Sequence, residues 1–147
     1  MAELETGALV ASHYVIVSLL GTGGMGAVYR ARDTRTDTLC AIKVLRQARG
    51  DLAARFIREA RITSTLAHPN VARVYEVLEL EDGSPAIVME LLDGESLGAR
   101  LTRVGKLTPG AIAQTCIGVV AAIEAAHARG VIHRDLKPDN IFLCRCV

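Results

Sequence analysis

Up to Leu91 the apolar positions form short runs and alternations of strand length, and beyond it their spacing turns helical. Tyr14 to Leu20 is an apolar run with β-branched residues that ends at Gly21, and Ala27 to Ala31 alternates as a half-buried strand does. The glycine-rich segment between them predicts a hairpin. Thr38 to Leu45 reads as a third strand, entered through the polar turn Thr34 to Asp37. Asp51 reads as an N-cap, and Leu52, Phe56, Ile57, Ala60 and Thr63 share one helical face, which predicts an amphipathic helix to about Leu66. His68-Pro69-Asn70 breaks it. Val71 to Leu80 and Ala86 to Leu91 are two further strands, parted by the turn Glu81 to Pro85.

From Asp93 the pattern predicts helices: a short one over Ser96 to Val104, then a long one opened by Thr108 and Pro109 and running to about Arg129, with Gly130 as its C-cap. Five strands with one inserted helix, followed by helices, define an α+β arrangement of two small lobes with a hinge near Glu90 to Asp93. The expected organisation is an N-terminal tail over 1–12, a strand-rich lobe with the hinge over 13–92, and a helical part over 93–147.

Composition narrows the function classes. Half of the 147 residues are apolar, so one domain with a real core is expected, but with no Trp, two Phe and three Tyr that core must be aliphatic. The net charge is +1 and the arginines are interspersed with acids, as in Arg30, Arg32, Asp33, Arg35 and Asp37, so nothing calls for nucleic acid. The start of the chain lacks a basic stretch followed by an apolar one, and the most apolar segment, Cys116 to Ala126, carries Glu124 and is short for a bilayer; a cytoplasmic protein without a membrane segment is expected. Cys40, Cys116, Cys144 and Cys146 lack the paired spacing of a zinc site.

Three features carry chemistry. Gly21-Thr22-Gly23-Gly24-Met25-Gly26 is a G-x-G-x-x-G, whose bare backbone can turn tightly and bring N–H groups against phosphate oxygens. A dinucleotide-binding βαβ unit would need a helix to open at the last glycine, whereas Ala27 to Ala31 continues as a strand, which favours a flap between antiparallel strands. Lys43 sits in the middle of an apolar strand, where an ammonium needs an anionic partner. Glu59 lies near the helix face that must pack on the sheet, which makes a Lys43–Glu59 pair geometrically reasonable. The octet His133-Arg134-Asp135-Leu136-Lys137-Pro138-Asp139-Asn140 concentrates charge in a loop straight after a helix, with apolar residues on both sides, and a plain polar turn leaves that density unexplained.

Taken in order, the glycine flap, strand lysine, helix glutamate, His68-Pro69-Asn70, hinge and charged octet resemble the eukaryotic-like Ser/Thr protein kinases of bacteria, from about His13 to Leu143. The resemblance implies a protein-kinase-like fold, a five-stranded antiparallel N-lobe with one helix and an incomplete helical C-lobe. It implies ATP and Mg²⁺, and a protein substrate offering a Ser or Thr hydroxyl. By the same resemblance, Leu20 would belong to the ATP site, Gly21, Gly23 and Gly26 would cover the phosphates, and Lys43, held by Glu59, would contact them. Val28 and Ala41 from one side and Phe142 from the other would sandwich adenine, with Met89 as gatekeeper and the backbone of Glu90 and Leu92 on the adenine edge. Asp135 would accept or orient the substrate hydroxyl proton, Lys137 would neutralise the transferring phosphate, and Asn140 would bind Mg²⁺. His133 resembles the family's structural histidine.

The sequence also departs from that pattern. Seven residues follow Asn140, ending in Cys144-Arg145-Cys146-Val147, and none is an aspartate, so the D-F-G segment the resemblance implies is not among the 147 residues. The helix from Pro109 is apolar nearly all round and expects packing partners on several sides. The expectation is a domain truncated after the catalytic loop, with impaired transfer; a non-catalytic nucleotide-binding module and a non-functional gene fragment are the alternatives.

Overall fold

The computed structural model describes residues 4–23, 26–45 and 51–145, apart from the side chains of Asp51, Leu52, Arg55, Glu59, Ile62 and Thr63. The capping role read for Asp51 and the place of Thr63 on the helix face therefore lie outside the described residues. The chain divides into two compact units, one of residues 1–65 with 73–91 and one of residues 66–72 with 92–147.

The first unit is an antiparallel sheet with one helix. Strands β1 (Leu9–Val10), β2 (Tyr14–Gly23), β3 (Gly26–Asp33), β4 (Thr38–Leu45), β5 (Val74–Glu79) and β6 (Pro85–Glu90) lie in the order β1-β2-β3-β4-β6-β5. The sheet thus has one strand more than the sequence pattern predicts. β1 is two residues long and exists through its pairing with Tyr14 and Val15. Val10 is buried and Leu4 packs on the core, so part of the segment read as a tail belongs to the sheet. Period 2 explains the core: Tyr14 and Ile16, Ala27, Tyr29 and Ala31, Cys40, Ile42 and Val44, and Ala86 and Val88 all fall on one face and are buried together. The sheet curls, because the Tyr14 hydroxyl on β2 donates to Glu76 Oε2 on the edge strand β5 at 2.8 Å. Helix α1 (Asp51–Ser64) packs against β5 and β6 and buries Ala60.

The second unit carries the helices. Ser96 caps α2 (Leu97–Val104), its hydroxyl accepting the Ala99 N–H at 3.0 Å, and Gly105 ends it at φ 75° while donating to the Leu101 carbonyl. Thr108 caps α3 (Pro109–His127) in the same way, through the Ala111 N–H at 3.3 Å, with proline at the first turn where no N–H is missed. α3 ends two residues before the predicted Arg129; Gly130, at φ 72°, then turns the chain away as its N–H bonds the His127 carbonyl. Strands β7 (Gly94–Ser96) and β8 (Phe142–Cys144) form a small second sheet that the sequence pattern did not announce.

His68-Pro69-Asn70 is tied into this unit. The Asn70 N–H donates to His68 Nδ1 at 3.1 Å, and the Asn70 amide donates to the Gly118 carbonyl in the middle of α3 at 3.2 Å. α3 is apolar over most of its circumference, and Ile112, Ile117 and Val120 stand exposed along it. At 19 residues it is longer than the segment Cys116 to Ala126 suggests, and an 18-residue stretch of it has a mean hydropathy of 1.4. By length and composition alone it could cross a membrane, a test that interior helices of soluble domains also pass.

Candidate active site

In the first unit, strand alternation sorts the side chains of β4 onto two faces. Cys40, Ile42 and Val44 point into the core, so Ala41 and Lys43 project from the opposite side of β4. Register places Lys43 between Val28 of β3 and Ile87 of β6, and Ala41 beside Met89. Val28, Ala41, Lys43 and Met89 thus share one face of the sheet, with the lysine half-buried among apolar neighbours. The expected pair with Glu59 lies outside the described residues. Glu90, at the end of β6, donates its N–H to the Arg73 carbonyl at 2.8 Å, and its carboxylate accepts the Arg73 N–H. Leu20 is exposed on β2, and Leu92 is half-buried in the chain that follows β6.

The three motif glycines are glycine for different reasons. They lie in the strand ladder itself, Gly21 opposite Val28 and Gly23 opposite Gly26, and not in a free turn. Gly26 has φ 155°, and a Cβ there would stand 2.0 Å from the Val44 carbonyl oxygen, so strand pairing alone forbids a side chain. Among the described residues a Cβ at Gly21 or Gly23 would meet nothing within 4 Å, so their packing gives no reason for glycine at either place.

In the second unit the charged octet folds into a connected loop. Arg134 takes φ 60°, and the Asp135 N–H bonds the His133 carbonyl at 2.8 Å, which turns the chain sharply before Asp135. Pro138–Asn140 forms a single 3₁₀ turn. The Asn140 amide reaches back to donate to both the Asp135 carbonyl, at 2.7 Å, and Asp135 Oδ2, at 3.0 Å. Lys137 Nζ lies 3.1 Å from the same Oδ2. The hydrogen bond from Lys137, with that from Asn140 behind it, holds the Asp135 carboxyl below the usual carboxylate range. Asp135 is therefore an ionised acceptor at neutral pH. The structure brings together Asp135, Lys137 and Asn140 of the residues the sequence singled out; His133 is exposed, and Phe142 lies in β8, 40 % exposed.

Sequence reasoning missed the anchors of this loop. Gly94 has φ 149°, and a Cβ there would lie 2.1 Å from the Leu143 carbonyl oxygen, so β7 and β8 close up only over glycine. The Leu97 N–H, at the start of α2, donates to the Ile141 carbonyl at 2.7 Å. A Cβ at Gly98 would lie 2.1 Å from Asp139 Oδ1. Glu95 pairs with Arg100 and, at 2.6 Å, with Arg103; Arg103 first and Arg100 second hold its carboxyl below the ordinary range. Asp93-Gly94 and Gly98 are visible as sequence but carry no period, so only the pairing across residues 94 to 144 reveals their use.

Magnesium takes hard oxygen ligands, usually one or two from protein, with phosphates supplying others. Asn140 fits that chemistry: its nitrogen is committed to Asp135, which leaves the amide oxygen as the donor. Among the described residues no group of three or more His, Cys, Asp or Glu side chains is placed to hold a metal ion by itself.

The first unit thus carries ladder glycines and a half-buried lysine on its sheet, and the second a loop of aspartate, lysine and asparagine. The sequence pattern of the protein kinase domain matches residues 14–145, and the chain belongs to the protein kinase domain family. It is 41 % identical over 140 residues to the serine/threonine-protein kinase pkn3 of Myxococcus xanthus, covering 93 % of this chain and 26 % of that protein. It is 40 % identical over 133 residues to the serine/threonine-protein kinase PknD of Mycobacterium tuberculosis, covering 88 % and 20 %. The crystal structure of the Mycobacterium tuberculosis PknI kinase domain superimposes with a TM-score of 0.87 at 32 % identity, over 96 % of this chain and 57 % of that one. The chain thus spans about a quarter or less of the curated relatives it matches and little more than half of the solved kinase domain.

Proposed function

We propose that this chain carries the ATP-binding and catalytic-loop parts of a Ser/Thr protein kinase, with residues 13–92 as nucleotide lobe and hinge and 93–147 as the catalytic-loop part. The observation that supports this best is the convergence of Lys137 and Asn140 on one carboxylate oxygen of Asp135. With Oδ2 so engaged, Asp135 Oδ1 is left to accept a hydrogen bond from a substrate hydroxyl and orient it toward the γ-phosphate. Lys137 offsets the charge of the phosphoryl group in transfer. Magnesium, when bound through the Asn140 amide oxygen, supplies charge neutralisation at the phosphates.

On the sheet, the backbone of Leu20, Gly21, Gly23 and Gly26 covers the phosphates and Lys43, with Glu59 as its partner, contacts them. Val28 and Ala41 pack on adenine next to Met89. The Glu90 N–H is committed to Arg73, which leaves its carbonyl as an acceptor for the adenine amine, while Leu92 offers an N–H. ATP as phosphoryl donor fits a cytoplasmic setting for these residues.

The D-F-G aspartate of the family is not among the 147 residues, which favours a second reading for this stretch by itself: nucleotide binding with little or no transfer. Radiolabel transfer from ATP to a generic Ser/Thr protein substrate decides between them. Robust transfer by residues 1–147 that Asp135→Asn abolishes would establish catalysis by this stretch; saturable ATP binding without transfer supports the binding module.

A further inference from the structure

We propose that Gly98 is a positioning residue for the catalytic loop: the space its missing side chain leaves on the first turn of α2 seats the Asp139 carboxylate and thereby fixes the next residue, Asn140, against Asp135. The inference rests on the functional reading above and adds a residue outside the octet.

The geometry is specific. A Cβ on Gly98 would lie 2.1 Å from Asp139 Oδ1, 3.1 Å from its carboxyl carbon and 3.4 Å from its backbone nitrogen, so any side chain at 98 pushes the Asp139 carboxylate out of its seat. The seat lies within the frame that holds the loop's exit: the Leu97 N–H on the Ile141 carbonyl at 2.7 Å, and the β7–β8 pairs Ser96 with Phe142 and Glu95 with Leu143. These contacts fix the chain just after Asp139 and Asn140. Asn140 has little freedom once they are made, since its own N–H also closes the turn onto the Lys137 carbonyl at 2.9 Å. A carboxylate beside the first turn of a helix is further favoured by the positive end of the helix dipole. Helix propensity argues for alanine at 98, so the presence of glycine requires another reason, and the close approach of Asp139 supplies it.

The test compares wild type, Gly98→Ala, Asp139→Ala, the Gly98→Ala/Asp139→Ala double variant and Asn140→Ala. Binding of a non-hydrolysable ATP analogue is titrated by calorimetry over a Mg²⁺ series, and side-chain amide NMR follows Asn140. Groups that support a metal ligand from behind typically change metal affinity by about 10- to 100-fold when lost. Gly98→Ala is expected at the low end, with the Mg²⁺ concentration for half-maximal enhancement raised about tenfold, a shifted Asn140 amide signal and unchanged affinity without Mg²⁺. Because alanine is the better helix former, unfolding does not mimic this result. The double variant is expected to match Asp139→Ala, since both remove the same seat. Unaltered Mg²⁺ dependence in Gly98→Ala beside a clear loss in Asn140→Ala overturns the positioning role and leaves the metal site standing, as do additive effects of the two substitutions. Unaltered Mg²⁺ dependence in Asn140→Ala overturns the metal-site reading itself.

Discussion

Replacing the motif glycines one at a time separates what the fold demands from what a ligand demands. In Gly26→Ala the new methyl would stand 2.0 Å from the Val44 carbonyl oxygen and 3.0 Å from its carbon, both backbone atoms that cannot rotate aside. Strand β3 must move away from β4 by more than an ångström at that end, an overpacking of about 1–3 kcal/mol. A φ of 155° in a residue with a side chain adds a strain of order 1–3 kcal/mol. About 3 kcal/mol in total is a large part of the 5–15 kcal/mol typical of a domain, and at about 2–4 °C per kcal/mol it lowers Tm by roughly 6–12 °C. Gly21→Ala and Gly23→Ala place a methyl in open space and are expected within about 0.5 kcal/mol of wild type. Their cost falls on nucleotide binding, about tenfold or ~1.4 kcal/mol, because a methyl holds the phosphates off the backbone N–H groups. Urea unfolding with ATP titration of each variant reads both quantities. A Gly26→Ala protein as stable as wild type refutes the packing reasoning; loss of stability in Gly21→Ala or Gly23→Ala, with affinity intact, refutes the ligand reasoning.

Tyr14→Phe removes the hydroxyl that joins β2 to Glu76 on β5, and because the Glu76 side chain is partly solvated the loss is expected near 1 kcal/mol in urea unfolding. An equal loss in the Glu76→Ala background, which lacks the acceptor, would show that the pair is not the cause. Burial, with Asp33 adding to it, pushes the Cys40 thiol up to about 11, so a maleimide should label exposed Cys116 at pH 7 and leave Cys40 untouched until the protein unfolds. The carboxyls of Asp33, Glu95 and Asp135 are all depressed, by Arg35, by Arg103 and Arg100, and by Lys137 and Asn140. Such groups stabilise the fold above their unfolded values, at about pH 4, and that contribution is lost as pH falls through the lower folded values; unfolding monitored from pH 5 downward should show it. The exposed Ile112, Ile117 and Val120 of α3 should bind a hydrophobic dye in residues 1–147, and a dye-silent monomer with one cooperative transition would contradict that.

The strands that strict alternation marks, and the helices opened by Ser96 and by Thr108 with Pro109, were legible because each is specified by its own neighbours. The three short strands were not. Leu9–Val10, Gly94–Ser96 and Phe142–Cys144 have too few residues to show a period and form only through partners elsewhere in the chain. The site divides in the same way. Asp135, Lys137 and Asn140 stand within six positions and their chemistry is written in order, whereas the shared face of Val28, Ala41, Lys43 and Met89 needs the register of three strands. Gly98 gave no signal, since a glycine in a helix reads as a weakness until Asp139 is seen against it.

The most direct test of the account is the affinity of residues 1–147 for ATP with and without Mg²⁺, in wild type, Lys43→Met and Asn140→Ala. The account predicts saturable binding that Mg²⁺ strengthens, a loss of about tenfold or more in Lys43→Met, ~1.4 kcal/mol, and the disappearance of the Mg²⁺ effect in Asn140→Ala. Absence of saturable binding by folded protein, or binding indifferent to both substitutions, would contradict it.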